Sequence, residues 1–170
     1  MSVTDSTEVD TIFTPPTSVA VRSEIDWAAV CTVQRDEVLR DAVPWPGNTY
    51  IIIDKAHGRP ITLINGWLQL QADTSQTAHC LWACIENNGW FGFRNEASGT
   101  FLGHDGEKNI RASKHHHKGW DYFALRKCPD GGYYMMTTHW DWLLKMTTGT
   151  DGKSLVAREG DGTVWEFVKA

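Results

Sequence analysis

From residue 48 onward the chain repeats itself. Tyr50-Ile51-Ile52-Ile53 corresponds to Trp90-Phe91-Gly92-Phe93 and to Tyr133-Tyr134-Met135-Met136, each a β-prone apolar run that opens a unit. The units close on Leu81-Trp82-Ala83-Cys84-Ile85, Tyr122-Phe123-Ala124-Leu125-Arg126 and Val164-Trp165-Glu166-Phe167-Val168. Their central aromatics, Trp82, Phe123 and Trp165, fall 41 and 42 residues apart. Within each unit lies a turn dipeptide, Asn65-Gly66, Asp105-Gly106 or Asp151-Gly152, of the kind that supplies positive φ to a tight hairpin. A short alternating strand follows each turn: Leu68-Gln69-Leu70, Asn109-Ile110-Arg111-Ala112 and Ser154-Leu155-Val156-Ala157.

Three units of four strands predict an all-β chain, a β-trefoil with pseudo-threefold repeats at about 48–88, 89–130 and 131–170. Six strands would close a short barrel and six would cap it as hairpins, which removes the open edges a lone unit would expose. The trefoil thus spans 48–170. Residues 1–23, rich in Ser, Thr and Val around Pro15-Pro16, lack an amphipathic period and read as a disordered tail. Residues 24–47 read as a short helix and a Pro-rich connector. Ile25, Ala28, Ala29, Thr32, Val33 and Leu39 recur at helical spacing after an N-cap at Ser23, to about Ala42, and Pro44 and Pro46 stop the run.

Charge narrows the partners. Sixteen basic against 21 acidic side chains leave a net charge of −5, without the basic field that nucleic acid requires. The polar, acidic opening residues carry no secretory signal pattern, and no apolar run approaches the roughly twenty residues that span a bilayer. Cys80 and Cys84, expected on one strand and about 13 Å apart, are too distant to bridge. Neither pairs as CxxC with Cys31 or Cys128. Reduced thiols and a cytoplasmic location are the expectation, with no metal and no cofactor.

Further stretches carry a resemblance. Gly89-Trp90-Phe91-Gly92-Phe93-Arg94-Asn95, Ser98-Gly99-Thr100-Phe101-Leu102-Gly103-His104-Asp105, His117-Lys118-Gly119-Trp120, Asp130-Gly131-Gly132-Tyr133 and the closing Trp165-Glu166-Phe167-Val168 are similar to small fungal β-trefoil proteins of the fascin-like and ricin-B-lectin-like kind. The likeness runs from about 43 to 170 and implies the fold and a fungal source. Ricin-B-like lectins hold galactose-type sugars with a Gln-x-Trp motif that closes each unit. Here those positions read His79-Cys80-Leu81-Trp82, Trp120-Asp121-Tyr122-Phe123 and Gly162-Thr163-Val164-Trp165, so the family's sugar residues do not carry over.

Three groups of residues invite chemistry. His115-His116-His117 offers imidazoles, yet successive side chains of an extended segment alternate faces, and a solvated loop explains the run as well. In Thr138-His139-Trp140-Asp141-Trp142 two tryptophans flank a carboxylate, a stacking surface beside an acceptor that suits a sugar or a planar metabolite. The plain alternative is a tryptophan in the core and an aspartate in a turn. His104-Asp105 has the residue types of an acid–base pair, although Asp105 is equally a turn residue. The ligand-binding candidates are therefore His104, His139, Trp140, Asp141 and Trp142; were the chain an enzyme, its catalytic candidates would be His104, Asp105 and His139. The leading expectation is a non-catalytic recognition module whose loops bind a carbohydrate, a small molecule or a protein. A cofactor-independent cyclase or isomerase of fungal secondary metabolism is the second reading, and a protease inhibitor the third.

Overall fold

The computed structural model describes residues 42–72 and 77–170. The tail and the expected helix lie outside the described residues up to Ala42; the connector after it is visible. It has no helix, and it docks on the first strand: the Trp45 amide donates to the Tyr50 hydroxyl at 2.9 Å, and that hydroxyl donates to the Val43 carbonyl.

The described chain is all β, with two short 3-10 turns at Thr77–Cys80 and Gly119–Asp121. The strands are β1 (Thr49–Asp54), β2 (Ile61–Ile64), β3 (Trp67–Leu70), β4 (Leu81–Asn87), β5 (Trp90–Asn95) and β6 (Phe101–His104). They continue as β7 (Ile110–Lys114), β8 (Phe123–Lys127), β9 (Tyr133–His139), β10 (Trp142–Thr148), β11 (Leu155–Arg158) and β12 (Trp165–Lys169). Antiparallel pairings run β1–β4, β4–β5, β5–β8, β8–β9, β9–β12 and β12–β1, which closes a ring of six strands. The other six strands pair as hairpins, β2–β3, β6–β7 and β10–β11.

Alternation drives this arrangement. In β9 the burial follows the period of two expected of a strand with one face inward, so Tyr133, Met135 and Thr137 are buried. The core inside the ring is aromatic. Phe167 meets Tyr50 and Tyr133 edge-on at 5.7 Å each and lies 5.6 Å from Phe93, which in turn meets Phe123. Of the three closing aromatics, two are indoles that must also satisfy an N–H when buried. Trp82 donates to the Ile61 carbonyl at 3.0 Å and Trp165 to that of Met146 at 3.1 Å. Phe123, fully buried at the corresponding place, has no such donor to satisfy.

The turns refine the sequence reading. Asn65-Gly66 forms the expected two-residue hairpin with φ of 50° and 81°, and Asn88-Gly89 forms a second at 52° and 83°. At Asp105-Gly106 the left-handed residue is Lys108 (φ 66°) instead of Gly106. The Asp105 carboxylate makes that longer turn by accepting from the amides of Glu107 and Asn109, both at 2.9 Å. Asp151 acts alike toward Lys153 and Ser154 in a six-residue loop. Cys80 ends the first 3-10 turn and does not share a strand with Cys84 as expected. Cys80, Cys84 and Cys128 are buried, and burial pushes the Cys84 thiol up to about 12.

Candidate functional site

Two of the links between ring and cap share one turn. Asp54-Lys55-Ala56-His57-Gly58-Arg59 and Asn95-Glu96-Ala97-Ser98-Gly99-Thr100 each return the fifth residue's amide to the first residue's carbonyl, at 2.7 and 2.8 Å. In both, the first side chain accepts from the amide three residues on, and the glycine sits at φ near +70°. Such turns separate the strands quickly: β5 and β6 share one rung, and β1 meets the next segment only through the Ile53–Pro60 bridge.

The third link is built differently. Thr137-Thr138-His139-Trp140-Asp141-Trp142 keeps β9 and β10 paired through four rungs, from Lys145–Met136 to Trp142–His139, and turns in two residues. Trp140 stands in that turn at φ 54°, where the other two-residue turns place asparagine. A bulky L-residue there strains against its own backbone by about 1–2 kcal/mol. Trp140 is 77 % exposed, Trp142 64 % and Leu143 51 %, so burial does not repay that cost. Cross-strand partners share a face, which sets Trp142 beside His139 on one side of the hairpin.

Behind the hairpin tip lies a layer of rings. Trp120, half-buried on the second 3-10 turn, stacks on His104 at 5.0 Å and on His139 at 6.0 Å, with interplanar angles of 27° and 28°. Trp140 approaches Trp120 and His139 edge-on at 6.1 and 6.2 Å. Lys114 reaches over the Trp120 ring at 5.5 Å. Together Trp120, His139 and Trp140 make a ledge, with the exposed Asp141 and Trp142 at its outer end. By contrast, exposed Trp67 on β3 already has a partner, because the Arg111 guanidinium sits 4.4 Å from its centroid.

The support beneath the ledge is polar and closely fitted. His104 is buried, with Nδ1 2.7 Å from the Asp105 carbonyl and Nε2 2.6 Å from the Thr138 carbonyl. Both partners are backbone carbonyl oxygens, which accept. This pins the β9–β10 hairpin to β6. Thr138 adds a bond from its hydroxyl to the Gly119 carbonyl, which ties the hairpin to the 3-10 turn that carries Trp120. Asp121 is buried on that turn, with Oδ1 3.8 Å from Lys114 Nζ and Oδ2 without a hydrogen-bond partner among the described residues. Burial raises its pKa above the usual carboxylate range against the pull of Lys114. Burial, then the neighbouring His104 and Lys108, lower that of His139.

The candidates from the sequence thus divide. His104, His139 and Trp140 come together, and Asp141 and Trp142 adjoin them. The Asp105 carboxylate faces its own turn and Arg111 (3.5 Å) instead of the His104 ring, whose contact with Asp105 is to the backbone carbonyl. Burial pushes the Asp105 pKa up, yet bonds from the Asn109 side chain and from the Asn109 and Glu107 amides, with Arg111, carry it below the usual value. The histidine run splits. His115 and His116 are exposed, whereas His117 turns inward to lie against Phe101 and Tyr122, with Nε2 3.2 Å from the Phe91 carbonyl. No cluster of three metal-ligating side chains occurs among the described residues. Trp120, Asp121 and Lys114 were missed from the sequence; the signal was Gly119-Trp120-Asp121, a tryptophan between a flexible residue and an acid where the other closing segments differ.

No family model matches the chain, and no curated protein matches it in sequence. Solved structures do. A ricin B-like lectin of Macrolepiota procera in complex with lactose superposes with a TM-score of 0.59 at 13 % identity, over 75 % of this chain and 98 % of the lectin. The BEL β-trefoil aligns at 0.60 and 12 %, over 76 % and 97 %. A GlcNAcα1-4Gal-releasing endo-β-galactosidase from Clostridium perfringens aligns at 0.62 and 13 % over 73 % of this chain, which spans only 33 % of that enzyme's length. At such identities the likeness is one of fold, and the closed six-strand ring with its three hairpins is a β-trefoil.

Proposed function

We propose that this chain is a non-catalytic carbohydrate-recognition module, built of three repeated units, whose ligand lies on the ledge of Trp120, His139 and Trp140. One observation carries the reading: a tryptophan is kept exposed, in left-handed backbone, at the first position of a two-residue turn, where the chain's other two-residue turns place asparagine. Local strain of this kind persists at ligand sites because the surroundings hold it there. An indole face takes the apolar side of a pyranose, and Asp141 supplies an acceptor for its hydroxyls. The lactose-bound lectin of like fold supports the ligand class. His104, with both nitrogens engaged by carbonyls, serves as a strut for the hairpin, which favours binding over acid–base chemistry at this place.

The test is a glycan array probed with the full chain and with Trp140→Ala. The wild type binds at least one neutral saccharide class, and the variant binds it at least about tenfold more weakly, the equivalent of about 1.4 kcal/mol. A wild-type chain that binds no glycan, or a variant that binds as well, refutes the reading.

A further inference from the structure

The two matching turns share a scaffold but not a charge. The backbone needs Asp or Asn at the first position and glycine at the fifth; the second, fourth and sixth positions are free of that demand. In the second unit they are Glu96, Ser98 and Thr100, and in the first they are Lys55, His57 and Arg59. Three basic side chains therefore occupy one turn of a chain whose net charge is −5, although the turn's backbone does not call for them; Lys55 is itself paired with Glu166 at 3.9 Å and donates to the Asp130 carbonyl.

That basic turn forms one wall of a groove of about 560 Å³, the scale of a small-ligand site. Arg158, at the end of β11, lies in the lining too; it is exposed and makes no ion pair with any described residue. The acidic groups of the lining are Asp54 and Asp161. Asp54 is committed: buried, it meets the Arg59 guanidinium at 2.8 Å and accepts the His57 amide at 2.7 Å. Arg59 also donates to the Gly152 carbonyl at 2.8 Å, so the turn is fastened to the third unit with its fork held in place.

The remaining wall is a lattice of hydroxyls. Thr163 Oγ1 lies 3.0 Å from Thr147 Oγ1 and 3.1 Å from Thr148 Oγ1, and it accepts the Thr148 amide at 2.9 Å. The Thr163 amide returns a bond to Thr147 Oγ1 at 3.0 Å. Hydroxyls fixed in this way, beside a rigid guanidinium and an uncommitted one, match a ligand that carries both an oxyanion and several hydroxyl groups.

We infer that this groove is a second binding site, for an acidic saccharide residue, with the anionic substituent at Arg158 and His57 and a ring hydroxyl at Thr148, whose oxygen the saturated Thr163 hydroxyl holds in place. It stands apart from the ledge. The ledge is at the start of β10 and the groove at its end, about 20 Å along the strand.

Calorimetric titration of the full chain with a sulfated disaccharide, a glucuronate-containing disaccharide and their uncharged counterpart tests the site. The sulfated arm and the carboxylated arm separate the two sources of charge. At least one acidic probe binds, the uncharged counterpart binds it at least tenfold less well, and affinity falls as salt rises. Arg158→Gln combined with His57→Gln, both exposed positions, weakens the acidic probe at least tenfold and leaves the near-ultraviolet dichroism unchanged. Trp140→Ala leaves acidic binding intact, so failure of the ledge reading and failure of this one are told apart. The inference is overturned if neither acidic probe binds, if the double variant binds as the wild type does, or if Trp140→Ala removes the acidic binding.

Discussion

Asp121 and Gly103 depend on each other. A Cβ built on Gly103 would lie 2.0 Å from Asp121 Oδ1 and 2.9 Å from the Trp120 carbonyl, so the carboxylate occupies the space a side chain would need. Gly103→Ala is expected to cost about 1–3 kcal/mol by overpacking, read from chemical denaturation, and to disturb the tryptophan signal of the ledge. Asp121 also gives the protein a pH dependence with a definite sign. Its folded pKa is raised, so its contribution is most favourable below the ordinary carboxylate value and declines as pH rises through the folded value. Asp121→Asn escapes that decline. The variant gains on the wild type between acid and neutral pH, and parallel unfolding curves at pH 3 and pH 7 measure the difference. Neither effect was legible beforehand. Gly103 sits inside an ordinary β-run, and only the fold brings the turn at 119–121 onto its backbone.

Among the elements, the β9–β10 hairpin differs most from its counterparts, and its difference can be exchanged. Placing Asn-Gly at 140–141 gives the hairpin the dipeptide that turns the chain at 65–66 and 88–89, with both residues free to adopt positive φ, and relieves the left-handed tryptophan. Trp140→Asn with Asp141→Gly is expected to raise stability by about 1 kcal/mol in thermal unfolding while saccharide binding is lost. A variant that loses binding without gaining stability would assign Trp140 no strain. The sequence showed this element in part: Trp140, Asp141 and Trp142 stood out by composition. That they are exposed instead of buried follows from register, since pairing Trp142 with His139 sends both to one face and leaves Trp140 in the turn. Gly106 shows the opposite case, a local signal overruled because Asp105 gathers three amide and side-chain donors and shifts the left-handed residue to Lys108.

For the whole molecule, closure of the ring is the property that matters. β12 pairs with β1 over five rungs and touches β9, so the last strand joins the first to the third unit. A chain ending at Thr163 lacks β12, exposes the edges of β1 and β9, and is expected to self-associate without a cooperative transition; gel filtration with thermal unfolding would show it. The cap strand β10 runs from the ledge to the groove, so the two proposed surfaces share one strand. With one ligand on each, an acidic oligosaccharide long enough to span them would gain affinity from linkage alone.

Local pattern determined much here by itself. Strand alternation, the 41- and 42-residue spacing of Trp82, Phe123 and Trp165, and the Asn-Gly turns specify an all-β chain with a recurrent unit, because side-chain period and left-handed backbone are properties of neighbouring residues. The tertiary structure decided which aromatics face solvent and which carboxylate lies beneath the ledge. It also decided that the basic turn at Lys55 to Arg59 would face three threonines about ninety to a hundred residues away. Those relations arise only when the ring closes, since they join residues that the chain itself keeps far apart.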